Sequence, residues 1–324
     1  MKVTGFLVAV LLASPGRAGD IELGLPVVCT FGTDCWIQQY ADHDPSADAR
    51  DYHCGQQTYD DHDGTDFRVL NTASKVDVVA SSEGIVKALR DGVDDRLVKT
   101  DADRAQVKSR ECGNGVVIDH ADGWQTQYCH LRKGSVAIKA GDRITAGAKL
   151  GQVGFSGMAA FPHVHLLVRH KGEVRDPFGG KPNGDANCTA AGGNLWNTTA
   201  AKALAYRDGD ILEAAFYDAP PQLNDLETAK VESGKPQPSW PTIVATLWAI
   251  NLSAGDRIDV TLQGPAGLVA TNTATLDRNK AQYLLFAGRK KPEGGWPPGT
   301  YTGSATVTHD GMIRLRREWQ AVIQ

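Results

Sequence analysis

The chain carries no strong excess of charge, no Cys-x2-Cys pair and no apolar run of membrane-spanning length. Its 34 basic and 38 acidic residues leave a formal net charge of −4, which gives no case for nucleic acid or an anionic membrane as a partner. A transmembrane helix needs about 20 consecutive apolar residues, and no stretch approaches that length, so no membrane span is expected. The lack of a Cys-x2-Cys pair argues against a zinc site built from thiolates.

The N-terminus has the pattern of an export signal. Lys2 supplies a positive charge, Phe6 to Ala13 form an apolar core, and Gly16-Arg17-Ala18 is an acceptable small-residue cleavage site. A short buried helix is the alternative interpretation. We expect residues 1–18 to be a signal peptide, and the mature protein to be exported to the periplasm or secreted.

The chain has six cysteines, and all of them precede residue 190. They lie at positions 29, 35, 54, 112, 129 and 188. An even number of cysteines in an exported protein predicts disulfides rather than free thiols. We favour a Cys29–Cys35 pair, because the two are close in sequence, and a Cys112–Cys129 pair, because these residues flank a predicted hairpin.

Changes in composition divide the remaining chain into four parts. Residues 19–60 form a polar, aspartate-rich segment, and residues 61–185 contain short β-type runs bounded by glycine and aspartate. Residues 186–207 have the composition of a linker, and residues 208–324 show alternating strands separated by glycine and proline turns. The predicted fold is mainly β: an antiparallel β-sheet domain followed by a β-sandwich, immunoglobulin-like accessory domain.

Two local patterns refine the prediction for the first domain. Residues 115–120 and 124–130 flank a short polar turn and predict a β-hairpin. Residues 90–111 are charged and poor in apolar side chains, which predicts an inserted surface loop or a short helix.

Eight of the nine histidines fall between positions 43 and 170, which suggests a metal site in the first domain. His163 and His165 are two residues apart in a predicted strand, so both side chains can point to one face. Two exposed histidines on an edge strand are the alternative. Zinc in catalytic sites takes three nitrogen, sulfur or carboxylate ligands and keeps a fourth position open.

His62, Asp66 and His130 offer further groups for such a site. Gly64 lies between His62 and Asp66 and permits a sharp backbone path that lets the imidazole and the carboxylate converge. The alternative is an ordinary polar turn. A lone histidine such as His130 is usually only a polar side chain, but near zinc an imidazole can orient water, act as an acid or base, or stabilise an oxyanion.

The order and spacing of these motifs resemble the M23 family of zinc metallopeptidases, which includes lysostaphin-like and LytM-type cell-wall endopeptidases. The resemblance covers roughly residues 60–178. The matching residues are His62-x-Gly64-x-Asp66-Phe67, the run 112–120, Thr126-x-Tyr128-x-His130-Leu131, the glycine-rich run 136–157, His163-x-His165 and Asp176-Pro177.

The resemblance implies a role for each of the five residues. His62, Asp66 and His165 would bind one zinc ion, and His130 and His163 would form a catalytic pair that does not bind the metal. It also implies peptidoglycan as the substrate, with peptide bonds in the stems or cross-links hydrolysed by a zinc-activated water. Two alternatives remain: a non-catalytic cell-wall binding or regulatory protein on the same fold, and a peptidase acting on extracellular proteins.

The sequence departs from the family pattern at three places: the insertion at 90–111, Cys129 beside His130, and Phe161-Pro162 before His163. These departures bear on the shape of the groove and on the choice of substrate rather than on the metal.

The segment before residue 61 offers groups that could regulate such a site. In some members of the family an upstream segment occupies the open position on the zinc. Asp42, His43, Asp44 and Asp60 have the chemistry to do this, and the sequence favours none of them.

The C-terminal part carries no catalytic motif. Its aromatic residues Trp240, Trp248, Trp296 and Tyr301 could line a contact with glycan or protein, but packing in the core is the expected role. A contact of this domain with the cell wall or a protein therefore stays open.

Overall fold

The computed structural model describes residues 20–179 and 194–324 of the chain, so the predicted signal peptide lies outside the described residues. The fold is mainly β, with antiparallel sheets and few, short helices. The strands are β1 (Cys35–Gln39), β2 (Thr65–Val69), β3 (Asp77–Val79), β4 (Gly84–Arg90), β5 (Asn114–Asp119), β6 (Trp124–Leu131), β7 (Arg143–Ile144), β8 (Lys149–Gln152), β9 (His163–His170), β10 (Glu173–Arg175), β11 (Asp210–Tyr217), β12 (Thr242–Leu252), β13 (Arg257–Gly264), β14 (Gly267–Thr275), β15 (Lys280–Lys290), β16 (Gly299–His309) and β17 (Met312–Ile323). The α-helices are α1 (Asp101–Val107), α2 (Thr198–Ala203) and α3 (Leu223–Glu227).

The first part of the chain forms one large antiparallel sheet in the order β1-β2-β9-β6-β5-β4-β7, with β10 paired to β9. Alternation along β9 explains its two faces: Val164, Leu166 and Val168 are fully buried in the core, while His163 and His165 lie on the other face. The predicted hairpin is present as β5 and β6. The insertion contains α1, which begins with a capping box between Thr100 and Asp103.

Both favoured disulfides are confirmed. Cys29 is bonded to Cys35, and Cys112 is bonded to Cys129. Cys54 is also disulfide-bonded, whereas Cys188 lies outside the described residues.

The segments on either side of the first sheet are packed into it. Leu23 and Tyr40 from the N-terminal segment belong to the same hydrophobic core as Trp196 and Leu204, and backbone hydrogen bonds join residue 23 to residues 195 and 197. Residues 194–204, part of the predicted linker, thus pack into this core through their few apolar side chains.

The C-terminal part forms two antiparallel sheets, β11-β12-β15 and β14-β13-β16-β17, which share a second hydrophobic core. Three of the four aromatic residues considered above are buried, namely Trp248, Trp296 and Tyr301. Core packing is thus their role, as expected. No helix in the described ranges has the length and apolar character needed to cross a bilayer.

A third apolar cluster joins the two parts. Trp36 of β1 and Leu70 after β2 pack with Trp248 of β12 and Leu226 of α3. Beside them, the guanidinium of Arg68 lies 5.1 Å from the ring centre of Phe161 and 5.0 Å from that of Trp248. The same face of β2 that carries Asp66 therefore continues into the contact with the C-terminal part.

Candidate active site

Three side chains converge at the edge where β2 meets β9. Asp66 and His165 face each other directly across the two strands, and His62 lies in the loop just before β2. The Nε2 of His62 is 3.2 Å from the Nδ1 of His165 and 3.3 Å from the Oδ1 of Asp66. The Nδ1 of His165 and the Oδ1 of Asp66 are 2.9 Å apart. A tetrahedral zinc with bonds of about 2.0–2.1 Å has ligands about 3.3 Å apart. The chain thus presents three ligand atoms at nearly the spacing that one zinc ion requires, with a fourth corner left for water.

Gly64 makes this convergence possible. A Cβ atom at this position would lie 2.6 Å from the Nε2 of His165 and 2.5 Å from the carbonyl oxygen of Leu166. Any larger residue would push β9 or the His165 ring away from its place. The glycine of the His62–Asp66 motif is therefore required by close approach and not by a positive φ angle.

The ring nitrogen of each imidazole that does not face the proposed metal position has its own partner, which orients the ring. The Nδ1 of His62 donates a hydrogen bond to the carbonyl oxygen of Tyr40 over 2.6 Å, and the Nε2 of His165 lies 3.2 Å from the Oδ1 of Asp63. Metal-binding histidines commonly donate their other N–H to a carbonyl or carboxylate, which fixes the tautomer and raises the basicity of the ligand. Tyr40 is itself held by edge-on packing against Tyr52 and Phe178.

The charges within the three-residue group stabilise one another. Burial alone would raise the pKa of Asp66, but the neighbouring His163 and His62 and a hydrogen bond from His165 hold that pKa well below its usual range. Burial alone would lower the pKa of His165, but hydrogen bonds to Asp63 and Asp66 outweigh it and raise the pKa to about 9. In the metal-free protein, His165 is therefore protonated at neutral pH, and its positive charge stands in for that of a metal ion.

His130 and His163 form a second pair beside the ligands. Their ring centres are 4.6 Å apart, and the Nε2 of His163 is 3.4 Å from the Oδ1 of Asp66. The Nδ1 of His130 donates to the carbonyl of Ser156, and the Nδ1 of His163 donates to that of Phe161, each over 2.8 Å. Both rings therefore keep the Nε2 lone pair for another partner.

Both members of this pair are neutral at pH 7. Burial lowers the pKa of His163, and burial together with the nearby His163 and His165 holds the pKa of His130 well below its ordinary value. A neutral imidazole with a free Nε2 can accept a proton, which is the property that a general base needs. His130 also has a left-handed backbone, with φ of 62°, and its N–H donates to the carbonyl of Cys112.

All five residues singled out in the sequence thus lie in one place, and their roles stay predictions. Asp63 was missed, although it stands next to His62 and its short polar turn was visible. The Tyr40 carbonyl was also missed, and no sequence signal marks a backbone acceptor. Tyr59, whose ring centre is 4.5 Å from that of His62, lies at the rim and is half exposed.

Two of the four groups proposed for latency, Asp42 and His43, make other contacts. His43 pairs through Nε2 with the buried Asp176 over 2.6 Å, and the carboxylate of Asp42 accepts from the backbone N–H groups of residues 44, 50 and 61. Such contacts hold the N-terminal segment in the first domain, and they argue against Asp42 and His43 as removable ligands of the metal.

Residues 60–177 match the sequence model of Peptidase family M23, so the chain contains a segment that resembles this family. It is similar to the cell division protein DipM of Caulobacter vibrioides, with 39% identity over 64 residues, which are 20% of this chain and 10% of DipM. It is also similar to the peptidoglycan DD-endopeptidase ShyA of Vibrio cholerae, with 36% identity over 77 residues, which are 22% of this chain and 17% of ShyA. The matches thus span only a small part of the length of these curated relatives.

Among solved structures, the chain is similar to the catalytic domain of the prophage-encoded M23 protein EnpA from Enterococcus faecalis. The two share 22% identity over 47% of this chain and 88% of that one, with a TM-score of 0.31.

Proposed function

We propose that this protein is a zinc-dependent endopeptidase that hydrolyses peptide bonds in the stems or cross-links of peptidoglycan. The observation that carries the proposal is the tetrahedral spacing of the His62, Asp66 and His165 ligand atoms beside two neutral imidazoles. The match of residues 60–177 to Peptidase family M23 supports a peptidase, and the peptidoglycan endopeptidase ShyA among the relatives supports the substrate class.

The residues present fit a zinc ion, and His62, Asp66 and His165 would hold it. A bound zinc supplies a Lewis acid that polarises the scissile carbonyl and lowers the pKa of bound water toward about 7. Because Nδ1 of His130 and of His163 donates to a backbone carbonyl, the Nε2 of either ring can take the proton of the attacking water. The ring that accepts this proton becomes a cationic donor, which stabilises the negative oxygen and can then protonate the leaving amine as the C–N bond breaks.

The C-terminal part and the location of the protein belong to the same proposal. We infer that β11 to β17 form a β-sandwich accessory domain of the immunoglobulin-like type, from their two sheets around one core. The disulfides support an oxidising compartment, and peptidoglycan lies outside the cytoplasm. A periplasmic or secreted protein, exported by the signal peptide predicted for residues 1–18, agrees with both.

Three variants test the proposal. His165→Ala should lose zinc, whereas His130→Ala should keep zinc and lose turnover, because His130 contacts no ligand atom closely. His170→Ala, on the same strand β9 but away from the ligands, is the control and should keep both. Zinc is measured by metal analysis, and turnover by mass spectrometry of fragments released from purified sacculi.

Each alternative to the proposed function predicts a different experimental result. Full activity of His130→Ala would overturn the assignment of the catalytic pair. A zinc-loaded protein that binds sacculi without cleaving them would identify a binding or regulatory protein. Cleavage of glycine-rich proteins without cleavage of sacculi would identify a peptidase acting on extracellular proteins.

A further inference from the structure

A row of polar side chains leads away from the metal ligands along one face of the large sheet. In the pairing of β6 with β9, Cys129 lies opposite His165 and Gln125 lies opposite Arg169. Since side chains alternate along a strand, residues 125, 127 and 129 share one face with residues 165 and 169. We call Gln125, Gln127 and Arg169 the polar ladder. It lies on the same face as the metal ligands.

Arg169 is held in this ladder by neutral groups. Its Nη1 donates to the Oε1 of Gln127 over 2.8 Å and, more weakly, to the Oε1 of Gln125 over 3.4 Å. The amides are fixed in turn: the Nε2 of Gln127 contacts the sulfur atoms of the Cys112–Cys129 disulfide at 3.3 and 3.2 Å. The Nε2 of Gln125 donates to Asp119 over 2.8 Å. The guanidinium is thus oriented by a fixed framework.

Among the described residues, Arg169 has no direct ion-pair partner, although its charge contributes at longer range to the lowered pKa of Asp63. Within residues 20–179 and 194–324, no carboxylate lies at ion-pair distance from its guanidinium, whereas the neighbouring Arg175 pairs with Glu173 over 2.7 Å. Arg169 is half-buried and lines a cleft of about 520 Å³ together with Lys87 and Asp119, which pair with each other at 3.5 Å. An arginine that is pre-oriented, accessible and not directly paired with a carboxylate is suited to bind a carboxylate of a ligand, often through two parallel hydrogen bonds.

The position of Arg169 sets the distance of such a carboxylate from the reacting bond. Four residues along β9 separate it from His165, which corresponds to about 13 Å at roughly 3.3 Å per residue. An extended substrate peptide covers about 3.3–3.6 Å per residue. A peptide with its scissile bond at the metal site therefore brings a group three to four residues away to Arg169.

We propose that Arg169 is a specificity-determining residue that binds a carboxylate of the substrate peptide, three to four residues from the scissile bond. The proposal rests on the proposed function, since it assumes that the metal site cleaves a peptide. Peptidoglycan peptides offer carboxylates of two origins, the terminal carboxyl of a stem and the side carboxyl of an internal residue. Both would meet the guanidinium with the same chemistry.

The test uses three synthetic peptides with the composition of a peptidoglycan cross-link: one with all carboxyls free, one amidated at the terminal carboxyl, and one amidated at the internal side carboxyl. The zinc-loaded wild-type protein should lose roughly 10- to 100-fold in kcat/KM on one of the two amidated peptides, because a charge-assisted hydrogen bond is lost. The peptide that suffers the loss identifies the origin of the carboxylate.

Arg169→Gln connects this loss to the residue. On the free peptide it should show a similar fall, mainly through a higher KM, and amidation should then bring no further loss. Arg169→Lys should recover part of the activity, because lysine restores the positive charge but not the two parallel hydrogen bonds of the guanidinium. Arg175→Gln is the matched control on the adjacent strand β10 and should behave as wild type. Thermal unfolding checks that Arg169→Gln is folded.

The outcomes separate this proposal from the proposed function. Arg169 does not recognise a carboxylate if the wild type cleaves all three peptides equally well, or if Arg169→Gln lowers kcat/KM by the same factor on each. Neither result contradicts the proposed endopeptidase activity. If the wild type cleaves none of them, the proposed function is wrong for this substrate class. Calorimetric binding of the free and amidated peptides to the wild type and Arg169→Gln then decides the proposal, and equal affinities would overturn it.

Discussion

Glu227 is a buried acid at the contact between the two parts of the chain. This residue ends α3 and is 1% exposed. Its carboxylate contacts the Nη2 of Arg68 at 3.4 Å and the Nζ of Lys99 at 2.5 Å, and it accepts from the Nε2 of Gln282 over 2.8 Å. We predict that Glu227→Ala strongly destabilises the protein, because it leaves a fully buried guanidinium without its ion-pair partner.

The expected loss follows from the burial of the two cations. Lys99 is 39% exposed, so water can replace Glu227 and little stability is lost there. Arg68 is 0% exposed, and removing one partner of such a buried pair typically costs about 3–5 kcal/mol. Gln38 still accepts from Arg68 over 2.9 Å, and the Phe161 and Trp248 rings still flank the guanidinium. We therefore expect a loss near the lower end, about 3 kcal/mol.

Urea unfolding followed by tryptophan fluorescence measures this loss, since Trp36 and Trp248 are buried at the same contact. Adding Arg68→Met to Glu227→Ala should recover part of the stability, because the unpaired charge is then removed as well. Asp94→Asn, which breaks an exposed ion pair with Lys133, is the control and should leave the midpoint unchanged. A loss below about 1 kcal/mol for Glu227→Ala would refute the reasoning.

Two further predictions concern the metal ligands. Gly64→Ala should weaken zinc binding at least about tenfold while the protein stays folded, because the new Cβ displaces the His165 ring; unchanged affinity in a chelator competition would contradict this. Zinc affinity should also rise about tenfold per pH unit up to about pH 9, because zinc must displace the proton that His165 holds below its raised pKa of about 9. The same proton stabilises the metal-free fold at low pH, and this contribution is lost as the pH rises through 9. Asp63→Asn removes one cause of the raised pKa and should shift the rise in affinity to lower pH, whereas an unshifted profile would exclude Asp63 as a cause.

The parts of the fold that follow from local pattern could be predicted from the sequence. The hairpin of β5 and β6 and most strands of the C-terminal part are marked by alternation and turn residues. Strand β14 carries no such mark, because all of its side chains are exposed or only partly buried and show no apolar alternation. Leu23 and Trp196 gave no signal either, since each is isolated in a polar stretch and finds its partners far away in the chain.

The same contrast between local sequence pattern and contacts with distant parts of the chain applies to the site. His62, Asp66 and His165 belong to short motifs whose spacing carries chemical meaning, and the structure places their ligand atoms together. Arg68 shows the limit of such reasoning. In the sequence it is an ordinary arginine in a short β-strand, yet it is fully buried, because the covering surface is supplied by α3 and β12 more than 150 residues later.

The buried position of Arg68 has a practical consequence for anyone who shortens this protein. A recombinant version that stops before β11 would keep all five site residues, but it would open Trp36, Leu70 and a lone guanidinium to water on the strand that carries Asp66. Such a fragment would tend to aggregate through this uncovered patch, and low activity in it would say little about the catalytic groups. The C-terminal part therefore covers the apolar surface beside Arg68 on the face of β2 that carries Asp66, and the two parts should be produced together.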